Sequence, residues 1–177
     1  MGGRERYSPT MEQQPKTAPP IAADNADALF AAYADMVYRL AFLRTKSAAD
    51  ADDTVQEVFL RALRAKPVWN DRSHQKAWFL KVTINCTKSL LTSAWRRHTV
   101  SEDENLFVEM QTQTEVYPYV LALPVKYRTV VHLYYYEGYR VAEIAKMLGM
   151  SENTVKSHLF RARDMLREQL KGEFQDV

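Results

Sequence analysis

The sequence predicts an all-α protein made of two small helical domains joined by an acidic linker. Glycine is scarce, with five residues among 177. Strand-like alternation of apolar and polar residues is rare, whereas apolar residues recur at helical spacing along most of the chain. A chain of this length has room for one ordinary domain or two small ones.

Charge is distributed in blocks, although the net charge is only +2. Residues 76–98 contain five basic residues and no acidic ones, whereas residues 101–115 contain five acidic residues and no basic ones. Such blocks indicate separate surfaces with separate partners.

Cysteine and histidine usage argues against a metal or cofactor site. The single cysteine, Cys86, excludes a disulfide within the chain and a cysteine-rich zinc site. The four histidines show no metal-ligand spacing with it. No apolar run approaches the roughly 20 residues of a membrane span, and the N-terminus lacks the apolar core of a signal peptide. We therefore expect a cytoplasmic protein without a cofactor or metal ion.

Composition divides the chain into four parts. Residues 1–23 are rich in Pro, Gln, Thr and Ala, which is typical of disorder. The first domain is expected at residues 24–98 and the acidic linker at residues 99–114. The second domain, at residues 115–172, is expected to contain a helix-turn-helix.

Three helices are expected in the first domain. One spans about residues 25–45. The next begins after Ser47, an N-cap residue followed three positions later by an acid, and ends before Pro67. A short loop then leads to a long helix at about residues 74–96.

Two helices joined by three residues form the sharpest local signal in the second domain. The first has an apolar face at i, i+3, i+4 and i+7 and ends at Gly149, where glycine relieves left-handed strain. Ser151 is an N-cap for the second helix. This arrangement is typical of a helix-turn-helix. The apolar face consists of Val141, Ile144, Ala145 and Leu148.

The second of these helices divides by angle, at about 100° per residue, into an apolar side and a polar side. Small polar, aromatic and basic side chains suit the major groove, because amides and Arg read base edges while Lys and Arg neutralise phosphates. The alternative is an ordinary solvated face, but a large aromatic opposite the core lacks a structural reason. The candidate DNA-binding residues are Asn153, Thr154, Lys156, Ser157, Phe160, Arg161 and Arg163.

The helix after Ser47 begins with several acids. Acids near a helix N-terminus are favourable electrostatically, which accounts for Asp50. This electrostatic effect does not explain why Asp53, Gln56 and Glu57 lie together beside an apolar stripe. A docking surface for a basic partner is at least as good an interpretation.

The long third helix carries a polar stripe between two apolar ones. Lys81, Asn85, Lys88 and Thr92 are spaced i, i+4, i+7 and i+11, and Trp78 borders them. Lysine and asparagine beside aromatics suit unstacked bases and phosphates. A buried helix with a narrow polar seam would have the same pattern, so both interpretations stay open.

These segments together resemble the extracytoplasmic-function (ECF) group of bacterial RNA polymerase sigma factors. The helix-turn-helix alone also resembles LuxR-type regulators, but the order of all five segments is specific. The resemblance covers about residues 25–172. It rests on the segments Asp50–Phe59, Lys76–Asn85, Leu123–Arg128, Ala142–Ala145 and Ser151–Arg163.

The resemblance implies a role for each surface. The polymerase β′ coiled coil would be bound by Asp50, Asp53, Gln56 and Glu57. The −10 element would be captured by Trp78, Lys81, Asn85, Lys88, Arg96 and Arg97, with Asn85 near the flipped base. The −35 element would contact the seven residues of the helix-turn-helix named above.

The resemblance also implies partners. These are core RNA polymerase, contacted at its β′ coiled coil and β flap, promoter DNA and an anti-sigma factor. The linker would thread toward the active centre and RNA exit channel of the polymerase, where acids can mimic nucleic acid.

Two other functions compete with promoter recognition by a polymerase subunit. One is a stand-alone helix-turn-helix regulator that binds operator DNA without polymerase. The other is an interaction module in which the acidic helix acts alone. An enzyme is not expected, because the sequence shows no nucleophile–base pair, phosphate-binding loop or metal cluster.

Overall fold

The computed structural model describes residues 18–97 and 116–174, with side chains described within residues 18–93 and 116–171. Every regular element in these ranges is helical, as the sequence predicts. The predicted acidic linker lies outside the described residues, as does most of the predicted disordered segment.

The N-terminal unit contains three helices: α1 (Ala26–Thr45), α2 (Ala48–Ala65) and α3 (Arg72–Arg97). Each packs against the other two. Their bounds lie within about two residues of those expected from the sequence, because local caps set them.

Side chains cap the first two helices at their N-termini. The side chain of Asn25 accepts a hydrogen bond from the backbone N–H of Ala28 (3.1 Å), and Ser47 Oγ accepts one from that of Asp50 (3.2 Å). These bonds satisfy donors that the first helical turn leaves free.

The core of this unit is aromatic and aliphatic. The rings of Tyr33 and Phe79 stack with centroids 4.6 Å apart, and Phe59 lies 5.2 Å from Phe79. Trp69, from the loop between α2 and α3, is also buried. The fully buried aliphatic side chains of this core include Leu29, Val37, Leu40, Leu43, Val58 and Leu80.

Part of the N-terminal segment, residues 18–23, contacts the start of α3. The side chain of Gln75 accepts from the N–H of Ile21 (3.0 Å) and donates to its carbonyl (2.9 Å). Arg72 Nε donates to the carbonyl of Pro19 (2.8 Å). These contacts could not be anticipated because Gln75 lies 54 positions from Ile21 in sequence.

The C-terminal unit contains α4 (Tyr117–Ala122), α5 (Val125–Val131), a π-helical turn (His132–Tyr136), α6 (Val141–Leu148) and α7 (Glu152–Phe174). Helix α7 contacts α4, α5 and α6, so it is the centre of this unit.

Helices α6 and α7 form the predicted helix-turn-helix. Gly149 ends α6 in the left-handed conformation with φ +66°, which costs glycine little. Ser151 Oγ accepts from the N–H of Thr154 at 3.1 Å and so caps α7. Both local predictions are confirmed.

The two units are in contact with each other. Helix α1 packs against α5, and α3 packs against α6. Among the described residues, no helix has the length and apolarity needed to cross a bilayer.

Candidate nucleic-acid interface

Helix α7 buries one side in the C-terminal unit. Val155, Leu159 and Ala162 are buried, as their angular positions predict. The helix is therefore held in a fixed rotation, and its opposite side faces solvent.

The solvent-facing side of α7 carries the candidate DNA-binding residues. Phe160 exposes 65% of its surface, which is unusual for a large aromatic residue on a well-packed helix. Thr154 differs from the others because it is half-buried and its hydroxyl lies 2.8 Å from Ser151 Oγ. The remaining candidates are all exposed: Asn153, Lys156, Ser157, Arg161 and Arg163.

A cationic cluster beside this face was not identified from the sequence. Lys126, on α5, places its Nζ 4.9 Å from the ring centre of Tyr127, and that ring lies 5.3 Å from His158 on α7. A hydrogen bond with Arg161 lowers the pKa of Tyr127. Because Lys126 precedes the helix-turn-helix, only the packing of α5 on α7 brings it to this surface.

The electrostatic potential around this cluster is positive. The pKa of His158 is lowered by burial and then by the charges of Lys126 and Arg161. A positive field next to an exposed reading face is what phosphate binding requires.

The polar stripe of α3 is exposed to solvent, which excludes the buried-seam interpretation for this stripe. Lys81, Asn85, Lys88 and Thr92 are exposed. Their common face therefore remains available for a nucleic-acid strand in this structure.

Aromatic side chains support the start of this stripe. Trp78 is half-buried, and its ring contacts Trp69 edge-on at 5.6 Å and Phe79 at 5.2 Å. Trp78 thus remains partly accessible near the start of the stripe. Arg96 and Arg97 belong to the end of α3, but their side chains lie outside the described part of the chain.

Helix α3 also buries two threonines that the sequence analysis did not single out. Thr83 and Thr87 are buried, and their hydroxyls donate to the carbonyls of Phe79 (2.7 Å) and Thr83 (2.9 Å). Such bonds satisfy a hydroxyl inside a helix and make it compatible with burial.

The acidic surface of α2 contains four residues with different surroundings. Asp53 and Gln56 are exposed. The carboxylate of Glu57 is paired with Arg61 Nε at 2.6 Å, so a partner would have to share or replace that contact. Asp50 is half-buried in the first turn, where helix electrostatics explain it.

Comparison with known proteins identifies both units. Residues 29–97 match the family described as Sigma-70 region 2, and residues 115–166 match Sigma-70, region 4. The RNA polymerase sigma factor SigV of Bacillus subtilis is 32% identical over 142 residues, covering 77% of this chain and 85% of SigV. The ECF sigma factor SigL of Mycobacterium tuberculosis is 34% identical over 151 residues, covering 79% of this chain and 85% of SigL.

This chain belongs to the ECF sigma factors of RNA polymerase. Region 2 contains α1, α2 and α3, and region 4 contains the helix-turn-helix. A stand-alone helix-turn-helix regulator is not favoured, because that function does not explain a complete region 2.

Solved structures of other proteins have a similar fold. The sigma factor RpoE of Bartonella quintana, solved with the anti-sigma factor NepR, has a TM-score of 0.65 with 21% identity. The match covers 82% of this chain and 96% of RpoE. CnrH, solved with the cytosolic domain of CnrY, has a TM-score of 0.61 with 22% identity, covering 83% of this chain and 88% of CnrH.

Proposed function

We propose that this sigma factor docks on core RNA polymerase through α2 and reads the promoter with two surfaces, α3 for the −10 element and α7 for the −35 element. The observation that carries this proposal is the exposed outer face of α7. Apart from the half-buried Thr154, its small polar, aromatic and basic side chains are exposed to solvent.

At the −35 element, α7 would enter the major groove. Asn153 and Arg161 have the donors and acceptors that read base edges, and Phe160 offers an apolar surface to a thymine methyl group. Lys156 and Arg163 flank this face and would bind phosphates. Thr154 and Ser157 complete the set as small hydroxyl residues.

At the −10 element, α3 would bind unstacked bases. Lys81 and Lys88 neutralise phosphates along the strand, and Asn85 between them offers an amide to a base edge. Extruding a base costs a few kcal/mol, which stacking on an aromatic such as Trp78 offsets in part. Arg96 and Arg97 extend the basic character of the helix.

The exposed acids of α2 are suited to a basic partner. Asp53, Gln56 and Glu57 share one side of the helix, and Asp50 lies one turn earlier. Docking on the β′ coiled coil would hold both DNA-reading units on one polymerase. Once one unit is bound, the other would be held near its DNA element at a high effective concentration, so two weak DNA contacts would together give tight binding.

Other partners follow from family membership. The C-terminal unit would contact the β flap, and an anti-sigma factor would bind the chain, as the anti-sigma factor NepR binds the sigma factor RpoE. The chain would act in the cytoplasm and leave the chemistry of RNA synthesis to the polymerase.

A gel-shift titration tests this proposal against operator binding by the chain alone. Promoter duplex is titrated with this protein, with core polymerase and with both. We expect a specific shifted complex only with both. Tight, sequence-specific binding by this protein alone would contradict the proposal, and so would binding by polymerase that is unchanged by this protein.

A further inference from the structure

The basic residues among the α7 candidates lie unevenly around the helix. At about 100° per residue, Lys156 and Arg163 lie about 80–100° to one side of Val155, which marks the buried side. Arg161 lies about 120° to the other side, next to the half-buried His158. The exposed face of α7 therefore has two of these basic residues at one edge and one at the other.

A helix in the major groove lies between two rows of phosphates. The groove is about 12 Å wide, and a helix with its side chains is about 10–12 Å across. A basic residue at either edge of the helix therefore meets the phosphate row on its own side. Lys156 and Arg163 are suited to one row. Because the proposed role of Arg161 is to read base edges, the other row is left without a basic residue from this set.

Helix α5 supplies a lysine at the edge of α7 that carries Arg161. Lys126, in the first turn of α5, is exposed, and its Nζ lies 4.9 Å from the ring centre of Tyr127. The ring of Tyr127 packs edge-on against His158 of α7, with the ring centres 5.3 Å apart. Tyr127 is only 7% exposed, so its ring is a fixed support for the lysine between α5 and α7.

The hydroxyl of Tyr127 connects the two basic residues. A hydrogen bond from Arg161 lowers the pKa of Tyr127, and the charge and a hydrogen bond of Lys126 lower this pKa further, against the effect of burial. One phenol oxygen thus accepts from an arginine of α7 and from a lysine of α5. Removal of this oxygen would leave both side chains less restrained.

The positive charge of this pair is not neutralised within the described part of the chain. Neither Lys126 nor Arg161 has a carboxylate within ion-pair distance there. Asp164, three residues after Arg161, is paired with Arg167 at 3.3 Å. Two basic residues held together at the surface without a carboxylate favour an anion, and on duplex DNA that anion is a backbone phosphate.

We propose that Lys126 binds a backbone phosphate of the −35 DNA, on the side of the groove opposite Lys156 and Arg163. Tyr127 is the positioning residue that holds Lys126 at this phosphate and Arg161 at the base edges. The DNA-binding surface then consists of two helices, because α5 holds the DNA backbone beside α7. This inference rests on the proposed function, since it assigns a further residue to the −35 contact.

The salt dependence of promoter binding tests the role of Lys126. Holoenzyme reconstituted from core polymerase and this protein is titrated onto a fluorescently labelled promoter duplex at several salt concentrations. Each phosphate contact contributes about −0.9 to the slope of log K against log salt concentration. We expect Lys126→Ala to make this slope shallower by about 0.9. Lys171→Ala, at an exposed site near the end of α7, removes the same charge and is the matched control.

Duplexes altered in the −35 element separate a phosphate contact from base reading. Lys126→Ala should weaken binding to all of them by a similar factor, because a phosphate contact carries no sequence information. Arg161→Ala should instead reduce the preference for the parent sequence. A slope that is unchanged in Lys126→Ala, or changed only as much as in Lys171→Ala, would overturn the assignment of Lys126.

Tyr127→Phe removes only the hydroxyl and so tests the positioning role. In the parent background this change should weaken promoter binding by about threefold, the effect of one hydrogen bond. In a background of Lys126→Ala with Arg161→Ala, both partners of the hydroxyl are absent and the change should have no effect. Circular dichroism melts check that each variant is folded. No loss in the parent background, or an equal loss in both backgrounds, would overturn the positioning role.

Lys156→Ala distinguishes failure of this inference from failure of the proposed function. If Lys156→Ala makes the slope shallower and Lys126→Ala does not, the proposed −35 surface stands and the role of Lys126 is overturned. If holoenzyme with the parent protein shows no preference for its promoter duplex, the proposed function and this inference are both overturned.

Discussion

A substitution of Phe160, on the outer face of α7, can distinguish a role in DNA binding from a role in stability. Because its ring is 65% exposed, Phe160→Ala should change the free energy of unfolding by less than about 0.5 kcal/mol. Loss of an apolar contact with a base should lower −35-dependent transcription by about fivefold or more. Thermal melts and run-off assays measure the two effects. Arg167→Ala, at an exposed site further along α7, is the control. Undiminished transcription by Phe160→Ala would contradict the assignment.

Glu137 makes the contact between the units sensitive to acid. Burial raises its pKa, but the hydrogen bond and charge of His132 and the ion pair with Lys76 outweigh burial and lower it to about 2. A carboxylate with a lowered pKa contributes stability above its unfolded pKa, about 4.3, and this stability is lost as the pH falls toward the folded value.

Glu137→Gln should therefore remove part of the acid dependence of stability. Denaturant unfolding followed at several pH values between about 6 and 2.5 should show a shallower loss of stability for the variant than for the parent protein. Asp52→Asn, at an exposed site of α2, should keep the parent slope. Equal slopes for Glu137→Gln and the parent protein would contradict this account of the ion pair.

At the scale of elements, the start of α7 depends on one cap. Ser151→Ala removes the bond to the N–H of Thr154 and should destabilise the protein by about 1 kcal/mol. Ser157→Ala, on the exposed face of the same helix, should have a much smaller effect. Chemical denaturation measures both. A Ser151→Ala variant as stable as Ser157→Ala would show that this cap contributes little.

Helix α2 allows a matched test of polymerase docking. Asp53→Lys reverses an exposed charge on the proposed docking side and should weaken binding to core polymerase by about tenfold. Asp52→Lys makes the same change one position earlier, about 100° around the helix, and should have less effect. Fluorescence anisotropy of labelled protein measures both affinities. Equal losses would contradict the orientation of this surface.

The helices could be predicted from sequence because local interactions set their ends. Ser47 and Ser151 cap their helices, Gly149 ends α6, and the angular pattern of α7 places Phe160 outside. These signals lie within a few residues of the feature that they control. The outward face of α7 followed from the same periodicity. For α3, the periodicity left open whether the polar stripe is exposed or buried.

The remaining features depend on contacts between residues far apart in sequence. Arg44 bonds Thr129 across 85 positions, and neither residue type signals a buried contact. Lys126 joins the recognition face only because α5 packs on α7. Ile21 is hydrogen-bonded to Gln75, whose burial no local pattern indicates.

For the whole molecule, the proposed docking and promoter reading are parts of one binding equilibrium. Under this proposal, polymerase binding through α2 would leave the exposed faces of α3 and α7 free to contact DNA. The specificity of this promoter-recognition subunit would then depend on its polymerase.

Run-off transcription with purified core polymerase tests the central claim most directly. Templates come from a promoter library, and RNA 5′ ends are mapped with and without this protein. We predict defined start sites that appear only when the protein is added and that share sequences near −10 and −35. Start sites that are unchanged by the protein, together with failure to co-purify with core polymerase, would contradict the claim.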